Sequence, residues 1–196
     1  MVLFQFQIAG SIYVILHIMK RVYLDNAATT AIHPEVISAM TSAMAESYGN
    51  PSSTHSFGRA AKSILETARK TIAAQIGAEA REIIFTSGGT EADNFILQNA
   101  VKHLGVRRII TSKTEHHAVL HTVEALQREF DIRVDYVALT NCGLPDMTAL
   151  EELLQDELPT LVSLMHVNNE TGVVLDLIKT GDLCRKYGAF FHSDAV

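Results

Sequence analysis

From Ile83 to the last residue, short apolar runs alternate with amphipathic stretches, and this alternation limits the fold more than any single motif does. The apolar runs are Ile83–Phe85, Arg108–Thr111, Val134–Leu139, Thr160–His166 and Ala189–His192. Between them lie stretches of helical periodicity: Glu91–His103, His116–Phe130, Met147–Leu154, and Leu175–Tyr187 closed by Gly188. Strands joined through helices of this length need right-handed crossovers, so they lie parallel in one sheet with helices on both faces. Two more helices are expected upstream, His33–Tyr48 and Phe57–Ile76, on either side of the turn Asn50-Pro51-Ser52-Ser53. The predicted architecture is α/β, a mainly parallel sheet preceded by an N-terminal helical arm. Met40 and Met44 stand at helical spacing in that arm and are expected to be core or packing residues.

Composition narrows the function classes. A chain of 196 residues, 47% of them hydrophobic and 19% charged, can bury one large core or a domain with an appendage. A formal net charge of −6 leaves no electrostatic footprint for nucleic acid. Cys142 and Cys184 lie far apart with no CxxC spacing, which fits a reducing, cytoplasmic compartment and two structural thiols. Val2–Met19 carries no charged residue and precedes Lys20-Arg21. It has no basic leading segment, and Gln5, Gln7 and His17 interrupt it, which argues against a cleaved signal peptide. Residues 1–18 are therefore expected to be an apolar extension outside the fold, with the domain occupying 19–196. Membrane anchoring by residues 2–19, or an extra strand or helix, are the alternatives.

The stretch Phe85-Thr86-Ser87-Gly88-Gly89-Thr90-Glu91-Ala92-Asp93-Asn94 reads as a strand end, a turn of small residues and a helix start. Adjacent glycines let a ligand approach the backbone closely, and unsatisfied N–H groups at a helix head favour an anion. Ser87 and Thr90 add hydroxyl donors. A plain capped turn would look the same in isolation. In open α/β sheets, ligands sit beyond the carboxyl ends of the strands. Thr90, His116, Asn169 and Asp194 all fall at that edge. His117 and His121 are an i,i+4 pair that could suggest a metal, but no third ligand stands beside them.

Six segments, taken in order, resemble one enzyme family. They are Tyr23-Leu24-Asp25-Asn26-Ala27-Ala28-Thr29-Thr30, Gly49-Asn50-Pro51-Ser52-Ser53-Thr54-His55 and Thr86-Ser87-Gly88-Gly89-Thr90-Glu91. Glu115-His116-His117-Ala118-Val119, His166-Val167-Asn168-Asn169-Glu170-Thr171-Gly172 and His192-Ser193-Asp194-Ala195-Val196 complete the set. Together they resemble the cysteine desulfurases, the NifS/IscS branch of the class-V, fold-type-I enzymes that use pyridoxal 5'-phosphate, from about Met19 to the end. The resemblance implies that Gly89 and Thr90 bind the cofactor phosphate and that His116 stacks on its ring and moves protons. It implies that Asn169 bonds the ring oxygen and reaches the substrate carboxylate, and that Asp194 pairs with the pyridine nitrogen. Ala28 and Thr29 correspond to a loop near the substrate.

The implied reaction takes L-cysteine to L-alanine and passes sulfur to an acceptor or scaffold protein for iron–sulfur assembly or tRNA thiolation. The implied assembly is a homodimer. The family's Schiff-base lysine and persulfide cysteine match no position in these 196 residues, so this chain alone is expected to be inactive. The alternatives are a non-catalytic fragment, or another class-V enzyme such as a selenocysteine lyase or an aminotransferase.

Overall fold

The computed structural model describes residues 6–8, 11–13 and 21–196. The chain divides into two units, 1–32 and 33–196. In the first, β1 (Phe6–Ile8) and β2 (Ser11–Tyr13) pair antiparallel. The expectation for 1–18, and the alternative of a membrane anchor there, fall largely outside the described residues. Among the described residues no helix is long and apolar enough to cross a membrane.

The second unit opens with α1 (Pro34–Glu46) and α2 (Ser56–Gln75). The N-caps of both helices are histidines, His33 and His55, whose Nδ1 atoms accept backbone N–H groups of the first turn. There follow α3 (Gly89–His103), β3 (Arg108–Thr111), α4 (His117–Phe130) and β4 (Arg133–Tyr136). The chain ends with α5 (Met147–Leu154), β5 (Thr160–Ser163), α6 (Leu177–Lys186) and β6 (Phe190–His192). The strand order is β4-β3-β5-β6 and every pairing is parallel.

Alternation along the strands sends successive side chains to opposite faces and builds two cores. Ile109 and Leu161 meet Leu97 and Val101 of α3 and Val119 and Val123 of α4. Ile110 and Val162 meet Leu150 and Leu154 of α5 and Cys184 of α6. The parallel sheet covered on both faces is thus as the sequence predicts. Cys184 is a core thiol, with burial pushing its pKa up to about 11. Cys142 is exposed in the turn before α5.

One expected strand is absent. Ala80–Glu82 makes a single 3₁₀ turn, and Ile83–Phe85 runs on extended without a strand partner among the described residues. Ile84 and Phe85 stay exposed, and the Arg69 guanidinium lies 4.9 Å over the Phe85 ring. An apolar run of three β-prone residues becomes a strand only when a neighbouring edge accepts its backbone hydrogen bonds.

Candidate functional site

The head of α3 is open on one side. Gly88 enters it with extended backbone, and a Cβ there would meet nothing within 4 Å. A Cβ on Gly89 would come within 2.5 Å of Val196 Cγ2, the tip of an exposed side chain that is free to move aside. Ser87 does not serve as expected. Its N–H and its hydroxyl both donate to Glu91 Oε2, each at 2.6 Å, and these bonds hold the Glu91 carboxyl below its ordinary pKa. The amides of the first turn and Thr90 are what remain to meet an anion.

Alternation along β6 sets the opposite wall. Phe191 packs into the core under α5 and α6, so His192 points the other way, towards α3. The His192 ring is held between Ser163 Oγ, 2.9 Å from Nδ1, and Asp93 Oδ1, 3.5 Å from Nε2. Asp93 lies one turn along α3 from Gly89, the residue on which Val196 packs. Asp194, between His192 and Val196, is thereby set beside the first turns of α3. Its carbonyl accepts the His166 N–H at 2.8 Å, and its Oδ1 accepts the Val196 N–H at 3.1 Å.

The surroundings of Asp194 are acidic and largely dry. Burial, with Asp194 adding and His116 opposing, pushes the Asp93 carboxyl up to about 6. Burial also pushes Glu115 up to about 7, against the Met165 N–H that donates to its Oε1 at 2.9 Å, with Asp194 and Asp93 adding. Burial lowers the pKa of His192, and Asp194 opposes that shift. Glu115 Oε2 and Ser193 Oγ are buried without a hydrogen-bond partner.

His116 caps α4, its Nδ1 accepting the Ala118 N–H at 3.1 Å, so the proton of the neutral ring sits on Nε2. Thr90 and His116 line one cleft of about 490 Å³ between α3 and α4, along with Asn94 and Thr122. Across it, the Thr122 hydroxyl donates to Asn94 Oδ1 at 2.7 Å. The His117 and His121 rings stack 5.2 Å apart. Among the described residues no group of three or more His, Cys, Asp or Glu is arranged to hold a metal.

The predicted site residues do not all meet. Thr90 and His116 share the cleft, while Asp194 is outside its lining and acts electrostatically on the buried Asp93 and Glu115 carboxyls. Asn169 lies in the turn after β5 at the same sheet edge, but it is exposed, outside the cleft lining, and donates to Glu170 Oε1 at 2.9 Å. Its neighbour Asn168 is the buried one, donating to the Thr114 carbonyl at 2.8 Å and accepting the N–H groups of Glu170 and Thr171. Ala28 and Thr29 belong to the 1–32 unit, where their N–H groups bond the Asp25 carbonyl at 3.2 and 3.3 Å.

Sequence reasoning assigned no role to Asp93, Glu115 or His192. A signal for Asp93 was present: it falls at the first position of the stripe it forms with Leu97, Ala100 and Val101, the buried face of α3. An ionisable residue on a helix's buried stripe needs a partner.

The donor set suits a molecule with an anion at one end and a cation at the other. Helix-head amides beside the open Gly88 can meet the first, and the part-buried Asp194 carboxylate, set near the buried acids Asp93 and Glu115, can meet the second.

The protein named IscS 1 in Bacillus subtilis is 47% identical over 182 residues, covering 91% of this chain and 47% of its own length. Cysteine desulfurase IscS of Proteus mirabilis is 45% identical over 180 residues, covering 89% of this chain and 44% of its own. A solved structure described as a NifS-like protein superposes with a TM-score of 0.85 at 37% identity, covering 90% of this chain and 49% of that one. The chain thus spans about half the length of the relatives it matches. A family profile described as aminotransferase class-V matches residues 22–196, nearly all of the sequence, and the chain belongs to that family.

Proposed function

We propose that this chain carries the cofactor-binding part of a cysteine desulfurase-like enzyme, dependent on pyridoxal 5'-phosphate, that removes sulfur from L-cysteine to give L-alanine. What supports this reading is a cleft lined by Thr90 and His116, with Asp194 acting on the buried Asp93 carboxyl nearby, in a chain 45% identical over 180 residues to a cysteine desulfurase. Bound there, pyridoxal phosphate would supply an electron sink for the charge left on the substrate carbon when its proton departs.

The residues divide the work by charge. The N–H groups of Gly89 and Thr90, at the positive end of a 15-residue helix, would hold the phosphate. The Asp194 carboxylate would pair with the ring nitrogen and favour its protonated form. His116 would lie on the ring and carry a proton at Nε2, since Nδ1 is committed to the α4 cap. Asn169 would reach the ring oxygen and the substrate carboxylate after leaving Glu170, and Ala28 and Thr29 would stand near the substrate. We take the transferase domain to run over 19–196. The acceptor would be a carrier or scaffold protein, the assembly a homodimer, and the setting cytoplasmic.

The test is a titration of the chain with pyridoxal phosphate, followed by fluorescence, beside Asp194→Asn and Thr90→Val. Saturable binding weakened roughly tenfold or more in each variant supports the reading, in line with the loss of one charge-assisted contact. Equal binding by all three overturns it.

A further inference from the structure

His192 is gripped from both sides, and neither partner is explained by the reaction. Ser163 is fully buried at the end of β5, so it can act on the imidazole but not as a nucleophile towards a ligand. Asp93 is 4% exposed, and among the described residues its ion-pair partner is His192. The groups facing Asp93 are His192 from β6, Asp194 just beyond it, His116 at the head of α4 and Glu115 in the preceding loop. No lysine or arginine is among them. Three carboxylates in one largely dry patch resist carrying three full charges, so protons must be held somewhere within it. Glu115 can hold one proton on its unpartnered Oε2, and the Asp93–His192 contact can hold another between two groups without occupying Asp194.

We propose that Asp93 and His192 are positioning residues for Asp194: the pair shares a proton behind the Asp194 carboxylate and so sets the negative charge that the site presents to a cationic ring nitrogen. The inference rests on the cofactor reading above. With its proton, the pair is neutral and Asp194 alone faces the ring. When the proton leaves, the Asp93 charge adds to that of Asp194 and the cation is held more firmly. Burial, with Asp194 adding, raises the Asp93 carboxyl to about 6, so the pair should give up its proton as pH rises through mild acidity and should hold a ring nitrogen more firmly above that range. Ser163 fixes the ring so that Nε2, rather than a carbon edge, faces Asp93.

The experiment has two arms on the same 196-residue chain. In the first, without cofactor, the His192 ring is titrated by ¹H–¹⁵N NMR in the wild type and in Asp93→Asn. A neighbouring carboxylate favours imidazolium, so the variant should titrate lower by about one pH unit. In the second, the ring-nitrogen resonance of ¹⁵N-labelled pyridoxal phosphate is followed from mildly acidic to mildly basic pH. The wild type should show an inflection that Asp93→Asn and His192→Gln lose and Asp93→Glu restores. Affinity above the inflection should fall about tenfold in the first two variants, as when the supporting partner of a metal ligand is removed.

An unchanged His192 titration in Asp93→Asn overturns the inference, whether or not the cofactor binds. A wild type that ignores pyridoxal phosphate overturns the proposed function instead, and the first arm still decides the pair. If Asp93→Asn does not fold, Ser163→Ala frees the ring's other side, and an unaltered His192 nitrogen pattern there overturns the inference equally.

Discussion

Helices α1 and α3 are similar in length, 13 and 15 residues, yet α1 buries no residue while α3 buries Asp93, Leu97, Ala100 and Val101. Both carry apolar residues at helical spacing. The difference is the partner. The stripe of α3 is closed by α4 and by Ile109 and Leu161 of the sheet. Val36, Ile37, Met40 and Met44 of α1 all face outward, which corrects the expectation that the two methionines are core or packing residues. Helix α2 follows α1: Gly58, Ala61 and Ala73 are buried, while Ile64, Leu65 and Ile72 are exposed. Apolar periodicity marks a face that can be buried, and only the fold decides whether anything covers it.

The sharpest way to break this contrast is Leu97→Ala. Leu97 has no exposed surface in the α3–α4 core, so truncation should cost about 2–5 kcal/mol through lost transfer energy and a residual cavity. Urea unfolding followed by circular dichroism measures this. A loss near zero would mean that α3 is no better supported than α1.

Next comes the one fully buried arginine side chain among the described residues. Arg108 sits at the start of β3, donating to Asp135 Oδ2 and to the Leu153 carbonyl, both at 2.5 Å. Asp135→Ala removes its main counter-charge and should cost about 3 kcal/mol, because a buried charge left unpaired is worse than none. The Asp156 carboxylate, 3.9 Å away, is partly exposed and offsets little of this. The same unfolding assay checks it, and a cost below that of an ordinary surface change would show the pair to be solvated.

Glu115 gives a smaller effect with a distinctive pH dependence. Its folded pKa is raised from 4.5 to about 7, so the folded state binds more protons than the unfolded one between those values. Stability from this group is therefore complete below 4.5 and is lost as pH rises through about 7. Glu115→Gln stays neutral and can still accept the Met165 N–H. It should match the wild type in acid and exceed it in mild base by up to about 3 kcal/mol. Parallel stability curves at all pH values would show that Glu115 is not buried as an acid.

Much of this was legible beforehand, for physical reasons. The strand and helix alternation from Arg108 onward fixes the parallel sheet, because buried strands read as unbroken apolar runs and each crossover needs a helix. Met147–Leu154 appears where periodicity put it, since Asp146 caps it through its side chain at 2.8 Å. That Thr90 and His116 lie at the heads of α3 and α4 was legible because a small-residue turn leads into the one and a capping residue into the other. Other features depend on contacts distant in sequence. The Ile83–Phe85 run lacks an edge to pair with, and the Ser87 donors are taken by Glu91 through a local bond that competes with a ligand. The choice between Asn168 and Asn169 for burial is made by the Thr114 carbonyl, 54 residues away from the first. Asp93 and His192 meet across almost a hundred residues of chain, and no local pattern announces that.

The smallest expected effect completes the contrast with α3. Met40 is 49% exposed and Met44 is 71% exposed, one turn apart on a helix with no buried residue. Each thioether already meets water, so truncation removes little transfer energy and opens no cavity. Alanine also has the higher helix propensity, which offsets part of what contact is lost. Met40→Ala and Met44→Ala, alone or together, should therefore change the stability of the 196-residue chain by no more than about 0.5 kcal/mol, the usual range for surface positions. The measurement is again the urea midpoint, compared directly with Leu97→Ala. A double variant losing as much as Leu97→Ala would mean that the α1 face is covered in solution, and the contrast in burial between the two helices would then fail.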